Sequence, residues 1–421
     1  MTSQWRWLIT LFARRLWLRV TLMAMIGVLT AVAGIIFAPY VSDEWTLKIG
    51  SSAIDGILNV LASSMLAVTV FSMSTMVAAF GAATNNGTPR ATKLLMEDQT
   101  SQNVLGTFIG SFLFSLVGIV ALGTGLYGSQ GRAILLVVTV ALIGVIAITI
   151  LRWIDYLSRF GRLGETIARV EAATWDALQT RLAHPNLGGL PLDDIADIPA
   201  DAAPVFARDV GYVQHVDSGA LQELAEAHDL VLFLTALPGT FADPARPLAR
   251  VNGDMSDEVA DAIAAAYSIG AERTFDQDPR FGLSVLSEIA SRALSPAVND
   301  PGTAIDVIGR AVRLLVRWGT ADCPGSDDIE CLRLRVPHLT ARDLFDDVFA
   351  PIARDGAGIV EVQIRLQKAF IALSAAAPHA FAREACRHSD VALQRATASL
   401  QLDEEKMALR ALNAQVHDTC T

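Results

Sequence analysis

Residues 54–81 read IDGILNVLASSMLAVTVFSMSTMVAAFG, with no charge after Asp55. About 20 mainly apolar residues in a helix suffice to cross a hydrocarbon core, so the stretch predicts a membrane span. Six hydroxyl side chains interrupt it: Ser63, Ser64, Thr69, Ser72, Ser74 and Thr75. Ser64, Val68, Ser72, Thr75 and Ala79 recur at helical spacing and share one face. Two readings fit this face. In one, a closely packed inner helix returns its hydroxyls to its own backbone, since small residues hold membrane helices together. In the other, Ser64, Val68, Ser72 and Thr75 line a pathway for an ion or small solute, because polar groups at membrane depth are useful beside a wet route.

Outward from this stretch, the apolar pattern predicts three more spans, at about 18–38, 104–127 and 133–151. Trp5, Trp7 and Trp17 with Arg6, Arg14 and Arg15 flank the first, and Arg152, Arg159, Arg162 and Arg169 follow the last. Basic residues mark the cytoplasmic side of a span, so both termini are expected in the cytoplasm. The loop VSDEWTLKIGSS is acidic apart from Lys48 and suits the outer side. After the second span, Thr88-Pro89 reads as a helix start, opening a short amphipathic helix with Arg90, Lys93, Leu94 and Leu95. Gly106 and Gly110 stand in the small-xxx-small spacing that lets helices approach closely.

The 421 residues are 52% hydrophobic with mean hydropathy +0.40, and net charge is −11. Residues 1–158 carry 9 basic and 6 acidic side chains; residues 159–421 carry 24 and 38. The acidic second half argues against a nucleic-acid footprint, which would be basic. Cys323, Cys331, Cys386 and Cys420 match no disulfide framework or zinc spacing and are expected unpaired, as in a reducing compartment.

Residues 153–183 keep helical spacing and are predicted to continue the fourth span as one helix. HPNLGGLPLDDIADIPADAAP reads as a linker or a surface loop. VFARDVGYVQHV, LVLFLTAL and RPLARV read as strands around the helix DSGALQELAEAHD, and SDEVADAIAAAYSIG as a helix ending at Gly270. In ERTFDQDPRFGLSVLSEIASRALSPAVNDPGTAID, Asp278-Pro279 and Asp300-Pro301 each open a helix, with Asp as cap and Pro in the first turn. Glu272, Arg273, Asp276, Ser295, Asn299 and Asp300 gather around these two starts. They are either satisfied caps of a fold-defining corner or a ligand or subunit-contact site, helix N-termini favouring an anion. Arg273 is expected to pair with Asp276 or Asp278. IECLRLRVP reads as a strand, TARDLFDDVFAPIARDGAG as a helix, and the remainder as a helical bundle.

Phe71-Ser72, Pro89-Arg90, Asp98, Gln102, Leu105-Gly106, Phe108 and Phe112, with the 272–306 stretch above, resemble the bacterial membrane-protein family catalogued as domain of unknown function 2254. The resemblance spans nearly the whole chain and implies a protein of the bacterial cytoplasmic (inner) membrane, with no established activity. The expected architecture is an α-helical integral membrane domain of four spans (1–158), a connecting helix and linker (159–203), a small α+β domain (204–270) and a mainly helical cytoplasmic region (271–421).

No phosphate loop, dinucleotide fingerprint or nucleophile elbow occurs. Cys386 and His388 lack a partner pair for a metal, and Asp193-Asp194, Asp327-Asp328 and Asp346-Asp347 are sequence neighbours that suit a solvated surface. Neither catalysis nor a cofactor or metal is expected. The sequence points first to a homo-oligomeric channel or transport-like protein in the lipid bilayer, with a cytoplasmic assembly or gating domain. The alternative is a membrane-anchored sensor or scaffold without transport.

Overall fold

An apolar run that meets lipid must close its backbone hydrogen bonds within itself, which selects the helix. The computed structural model describes residues 7, 16–37, 51–321 and 329–420. It begins with α1 (Leu16–Ile36), α2 (Ser51–Asn86), the short α3 (Pro89–Met96), α4 (Gln99–Gly123) and α5 (Ser129–Arg159). All but α3 are long and apolar enough to cross a membrane. The predicted end of the first span at 38, the loop at 41–50, and Trp5, Arg6, Arg14 and Arg15 lie outside the described residues.

The chain divides into two units, Leu8–Asn85 with Pro89–Thr166, and Met1–Trp7 with Asn86–Thr88 and Ile167–Thr421. In the first, Leu61, Met65 and Met76 of α2 pack with Leu95, Phe108, Ile146 and Trp153. A second cluster joins Ala31, Leu58, Phe114 and Leu135. The Gly106–Gly110 spacing works within the chain. A Cβ at Gly110 would lie 2.7 Å from the Met23 carbonyl oxygen, so α1 and α4 touch backbone to backbone. Asp98 caps α4, accepting from the Ser101 N–H at 2.8 Å.

The helix predicted over 153–183 is broken. α5 stops at Arg159 and α6 (Leu163–Ala183) starts anew. Between them Gly161 takes φ +79°, a conformation natural to glycine at a helix end.

The second unit contains most of α6, and then β1 (Gly189–Leu192), β2 (Ala203–Val205), β3 (Gly211–Val216), α7 (Ser218–Ala227), β4 (Val231–Leu234), β5 (Phe241–Ala242), β6 (Ala249–Asn252), α8 (Asp257–Ala265) and β7 (Tyr267–Gly270). It continues with α9 (Pro279–Ala293), α10 (Pro301–Gly319), β8 (Cys331–Pro337), α11 (Ala341–Asp355), α12 (Val360–Ala376), α13 (Pro378–Ser399) and α14 (Asp403–Cys420). A five-stranded sheet runs β1-β8-β4-β6-β2 and a three-stranded one β5-β3-β7.

Two predictions fail here. The stretch read as a linker supplies β1, which pairs in parallel with β8. Tyr267–Gly270, read as the end of a helix, is β7, antiparallel to β3. The helix yields because Tyr267 is buried and its hydroxyl donates to the Leu248 carbonyl at 3.3 Å. Leu221, Leu232, Leu234, Ile263 and Val336 fill the core between sheets and helices.

The C-terminal helices bury one face each. Phe345 and Phe349 of α11, Phe370 of α12 and Phe381 of α13 are fully buried, with ring centroids 5.2–5.5 Å apart for Phe345–Phe349, Phe345–Phe381 and Phe349–Phe370. Each such burial contributes roughly 1.5–3 kcal/mol. The expectation of unpaired cysteines is corrected for one pair, since Cys386 and Cys420 form a disulfide. Cys331 is free and buried; Cys323 and Asp327-Asp328 lie outside the described residues.

Candidate functional site

The α2 hydroxyls close largely on their own helix. Ser63, Ser64, Thr69, Ser74 and Thr75 donate to the carbonyls of Asn59, Leu61, Met65, Val70 and Phe71 at 2.6–3.2 Å. Such back-bonding frees a hydroxyl from needing water or a second helix. Ser72 is fully buried and accepts from the Trp153 indole N–H at 3.0 Å. Val68 packs partly buried against the same core. Trp153 stacks on Tyr156, whose hydroxyl donates to Asp98 at 2.8 Å. Sequence reasoning missed this Ser72–Trp153 and Tyr156–Asp98 pairing. Its available signal was the aromatic spacing of Trp153, Tyr156 and Phe160 at the end of α5.

In the second unit, both Asp-Pro starts fold as predicted. Asp278 accepts from the Phe281 N–H at 3.1 Å and Asp300 from the Thr303 N–H at 3.1 Å. They stand at opposite ends of α9, whose 15 residues span about 22 Å at 1.5 Å per residue. The six polar candidates therefore form two groups.

At the first start, Arg273 forks onto Asp278 with bonds of 2.8 and 3.0 Å, resolving the choice between Asp276 and Asp278. Asp276 instead accepts from the Trp7 indole at 3.1 Å, and Trp7 stacks on His215. Glu272 is exposed and offers its carbonyl to Gln214 at 2.7 Å. Burial raises the Asp278 carboxyl above its ordinary value, opposed by Arg273 and the Phe281 N–H. Arg181 is pushed down to about 10 by burial, against the field of Asp278. Beside them Arg280 forks onto Asp347 at 2.7 and 3.1 Å and meets Asp343 at 2.9 Å. Three guanidiniums thus face three carboxylates. Gly239, in the predicted Pro-Gly turn, covers the cluster at φ +93°, where a Cβ would lie 2.2 Å from Asp278 Oδ2.

At the second start, the Ser295 hydroxyl donates to the Arg292 carbonyl at 2.7 Å. Asn299, at φ +51°, donates its N–H to the Ser295 carbonyl at 2.8 Å. Thr303 holds the Asp300 carboxyl below its ordinary value.

A polar cavity of about 450 Å³ between α9 and α11 is lined by Ser284, Ser287, Glu288, Asp346, Asp347 and Arg354, among others. Asp347 is held by Arg280, Asp346 by Arg387 and His388, and Arg354 by Asp355. The pair Asp346-Asp347, expected on a solvated surface, therefore reaches two separate ion-pair networks. Among the described residues no group of His, Cys, Asp and Glu is arranged to hold a metal ion.

One further set of contacts fixes α6 onto α10. Glu171 accepts from Arg310 at 2.8 Å and from Arg313 at 2.7 and 3.0 Å, and Arg317 lies 3.6 Å above the Trp175 ring. The i, i+4 pair on α6 thus meets basic residues at i, i+3 and i+7 on α10, neighbouring positions on one face of each helix.

Comparison with known proteins places these units in a wider setting. The profile of the family described as predicted membrane protein, domain of unknown function 2254, matches residues 13–372. An uncharacterized protein of Mycobacterium bovis is 27% identical over 265 residues, 60% of this chain and 50% of the relative. Uncharacterized proteins from two Mycobacterium tuberculosis strains are 27% and 26% identical over the same length. The alignment thus spans about half the length of these relatives. No solved structure matches. With four apolar helices, a downstream α+β region and a profile match over most of its length, the chain belongs to the predicted membrane protein family, domain of unknown function 2254.

Proposed function

We propose that this protein is a membrane-anchored sensor or scaffold of the bacterial cytoplasmic membrane. In this reading both termini lie in the cytoplasm and the second unit receives or presents the signal. The observation that carries it is the fastening of α6 to α10 through Glu171, Arg310, Arg313, Trp175 and Arg317. In this reading these ties couple the two helices, and displacement of α6 is passed to the Asp300 start and the helices packed on α10. Ion flux through the purified chain in liposomes tests the reading. Flux no higher than in protein-free vesicles, across potassium, chloride and protons at several pH values, is expected. Flux above that level, abolished by Ser72→Leu in a folded variant, overturns it.

The second reading is a homo-oligomeric channel with the soluble unit as its gate. It is favoured by the exposed face of α2, where Val60, Leu66, Val70, Phe71 and Val77 are at least half open. That surface is available to lipid or to a second copy. Mass determination in native nanodiscs, run beside the flux assay, distinguishes the two.

A further inference from the structure

α14 carries few means of staying in place. Of its 18 residues only Leu409 and Val416 are buried, whereas the neighbouring α13 buries seven. Its fastenings are polar and lie toward its C-terminal end. Asn413 donates to Ser389 Oγ at 2.8 Å and to Asp390 Oδ1 at 2.9 Å. His417 Nε2 lies 2.8 Å from the same Asp390 oxygen. Cys420 closes the end by its bond to Cys386 on α13.

The other nitrogen of His417 faces sulfur, its Nδ1 lying 3.5 Å from Cys386 Sγ. Asp390, His417 and Cys386 thus stand in line, with the carboxylate orienting the ring and the ring beside the sulfur. In this arrangement the ring nitrogen can take the proton of the Cys386 thiol once the disulfide is reduced, while Asp390 holds the other ring nitrogen. The site is reachable: the His417 side chain is 48% exposed, and both cysteines are only partly buried. Cys331 is the contrast, with burial pushing its thiol up.

We infer that Cys386 and Cys420 form a reversible redox site, with Cys386 the reactive thiol, Cys420 its resolving partner and His417 the residue that holds Cys386 as thiolate. Reduction uses a dithiol. Its thiolate attacks Cys420 Sγ, the protein S–S bond breaks, and Cys386 leaves with the electron pair beside His417. The second thiol of the reagent closes its own disulfide and releases Cys420 as a thiol. Two electrons pass from the reagent to the protein. Reoxidation uses a hydroperoxide. Cys386 thiolate takes the terminal oxygen to become a sulfenic acid, releasing an alcohol or water, and the Cys420 thiol then displaces water to restore the bond. Reduction removes the covalent tie at the end of α14, leaving the hydrogen bonds of Asn413, His417 and Thr419 (the last to Ser374) and the two buried side chains among the contacts that hold it.

The test uses the full chain in detergent with Cys323→Ser, which leaves Cys331 as an internal reference. After reduction with dithiothreitol and its removal, iodoacetamide labelling at pH 7 is followed by peptide mass spectrometry. A base beside a thiol raises its thiolate fraction. The lower intrinsic nucleophilicity of such a thiolate offsets much of that gain, so His417→Ala is expected to slow Cys386 about threefold without affecting Cys331. Hydrogen peroxide is expected to restore the Cys386–Cys420 bond. In Cys420→Ser it is expected to leave a dimedone-reactive sulfenic acid on Cys386. Hydrogen exchange over 403–420 is expected to rise on reduction and recover on reoxidation. Equal Cys386 rates with and without His417, failure of peroxide to restore the bond, or unchanged exchange in α14 would overturn the inference.

Discussion

His388 makes acid a selective probe of the C-terminal helices. It is 5% exposed, with Phe345 and Phe370 near its ring. Its Nε2 lies 3.1 Å from Asp346 Oδ1 and 2.8 Å from the Arg387 guanidinium. Burial, reinforced by the positive charge of Arg387 and opposed by Asp346, pushes its pKa from 6.5 to about 4. The unfolded chain therefore binds a proton between these values while the folded chain does not. Stability from this group is complete above pH 6.5 and is lost as pH falls toward 4. Linkage converts the difference to about 2.5 kcal/mol lost between pH 7.5 and 4.5. The assay is amide hydrogen exchange over α13, read as opening free energy at each pH after correction for the intrinsic rate. Asp346, Asp355 and Asp390 are held below the ordinary carboxylate value, so they act at still lower pH. His388→Gln is expected to remove most of the slope between pH 7.5 and 4.5. An opening free energy that stays flat in the native chain, or an equal slope in the variant, would refute the assignment.

Other substitutions separate the remaining contacts. Gly239→Ala forces a Cβ into the Asp278 carboxylate and strains a left-handed backbone, so the second unit is expected to lose about 3 kcal/mol or more. Gly219→Ala, with its nearest neighbour at 3.6 Å, is the control and should cost nothing in a denaturant titration. Ser72→Ala leaves the Trp153 indole without its acceptor and is expected to cost about 1–2 kcal/mol in thermal unfolding in detergent. Under the proposed function it leaves vesicle flux at the protein-free level. Trp175→Ala with Glu171→Ala removes the contacts to α10. Faster hydrogen exchange in α6 should follow, while α12 and α13 keep their native rates.

The sequence made local features legible and left distant pairings hidden. The four apolar helices could be read because hydropathy over about 20 residues is a property of the segment itself. The caps at Asp278 and Asp300 could be read because each is closed within three residues. β1 could not, since its four residues become a strand only beside β8, more than 130 positions later. β7 failed for the same reason: its partner β3 is elsewhere in the chain, and a helical period ran up to Ala265 without a stop signal. The break between α5 and α6 rests on one glycine, and apolar spacing on either side conceals it. At the candidate sites, residue types were readable but partners were not. Nothing near Ser72 in sequence announces Trp153, 81 positions away.

These partners change what the residues mean. A hydroxyl-rich span is compatible with a water-lined route as long as its hydroxyls need partners. In the structure five of them return to their own helix and Ser72 accepts from Trp153, so each of the six has a partner within the fold. The same reasoning applies at the start of α9. A helix N-terminus attracts an anion through unpaired N–H groups, but here Asp278 already supplies the negative charge and Arg273 balances it. Charge that is matched inside the fold holds the fold. Polar groups directed outward include Asn299, those in the mouth of the cavity between α9 and α11, and His417 of α14 beside Cys386. Under the proposed function, the second unit registers a chemical change and passes it along its packed helices, and the matched charges at the start of α9 serve the fold.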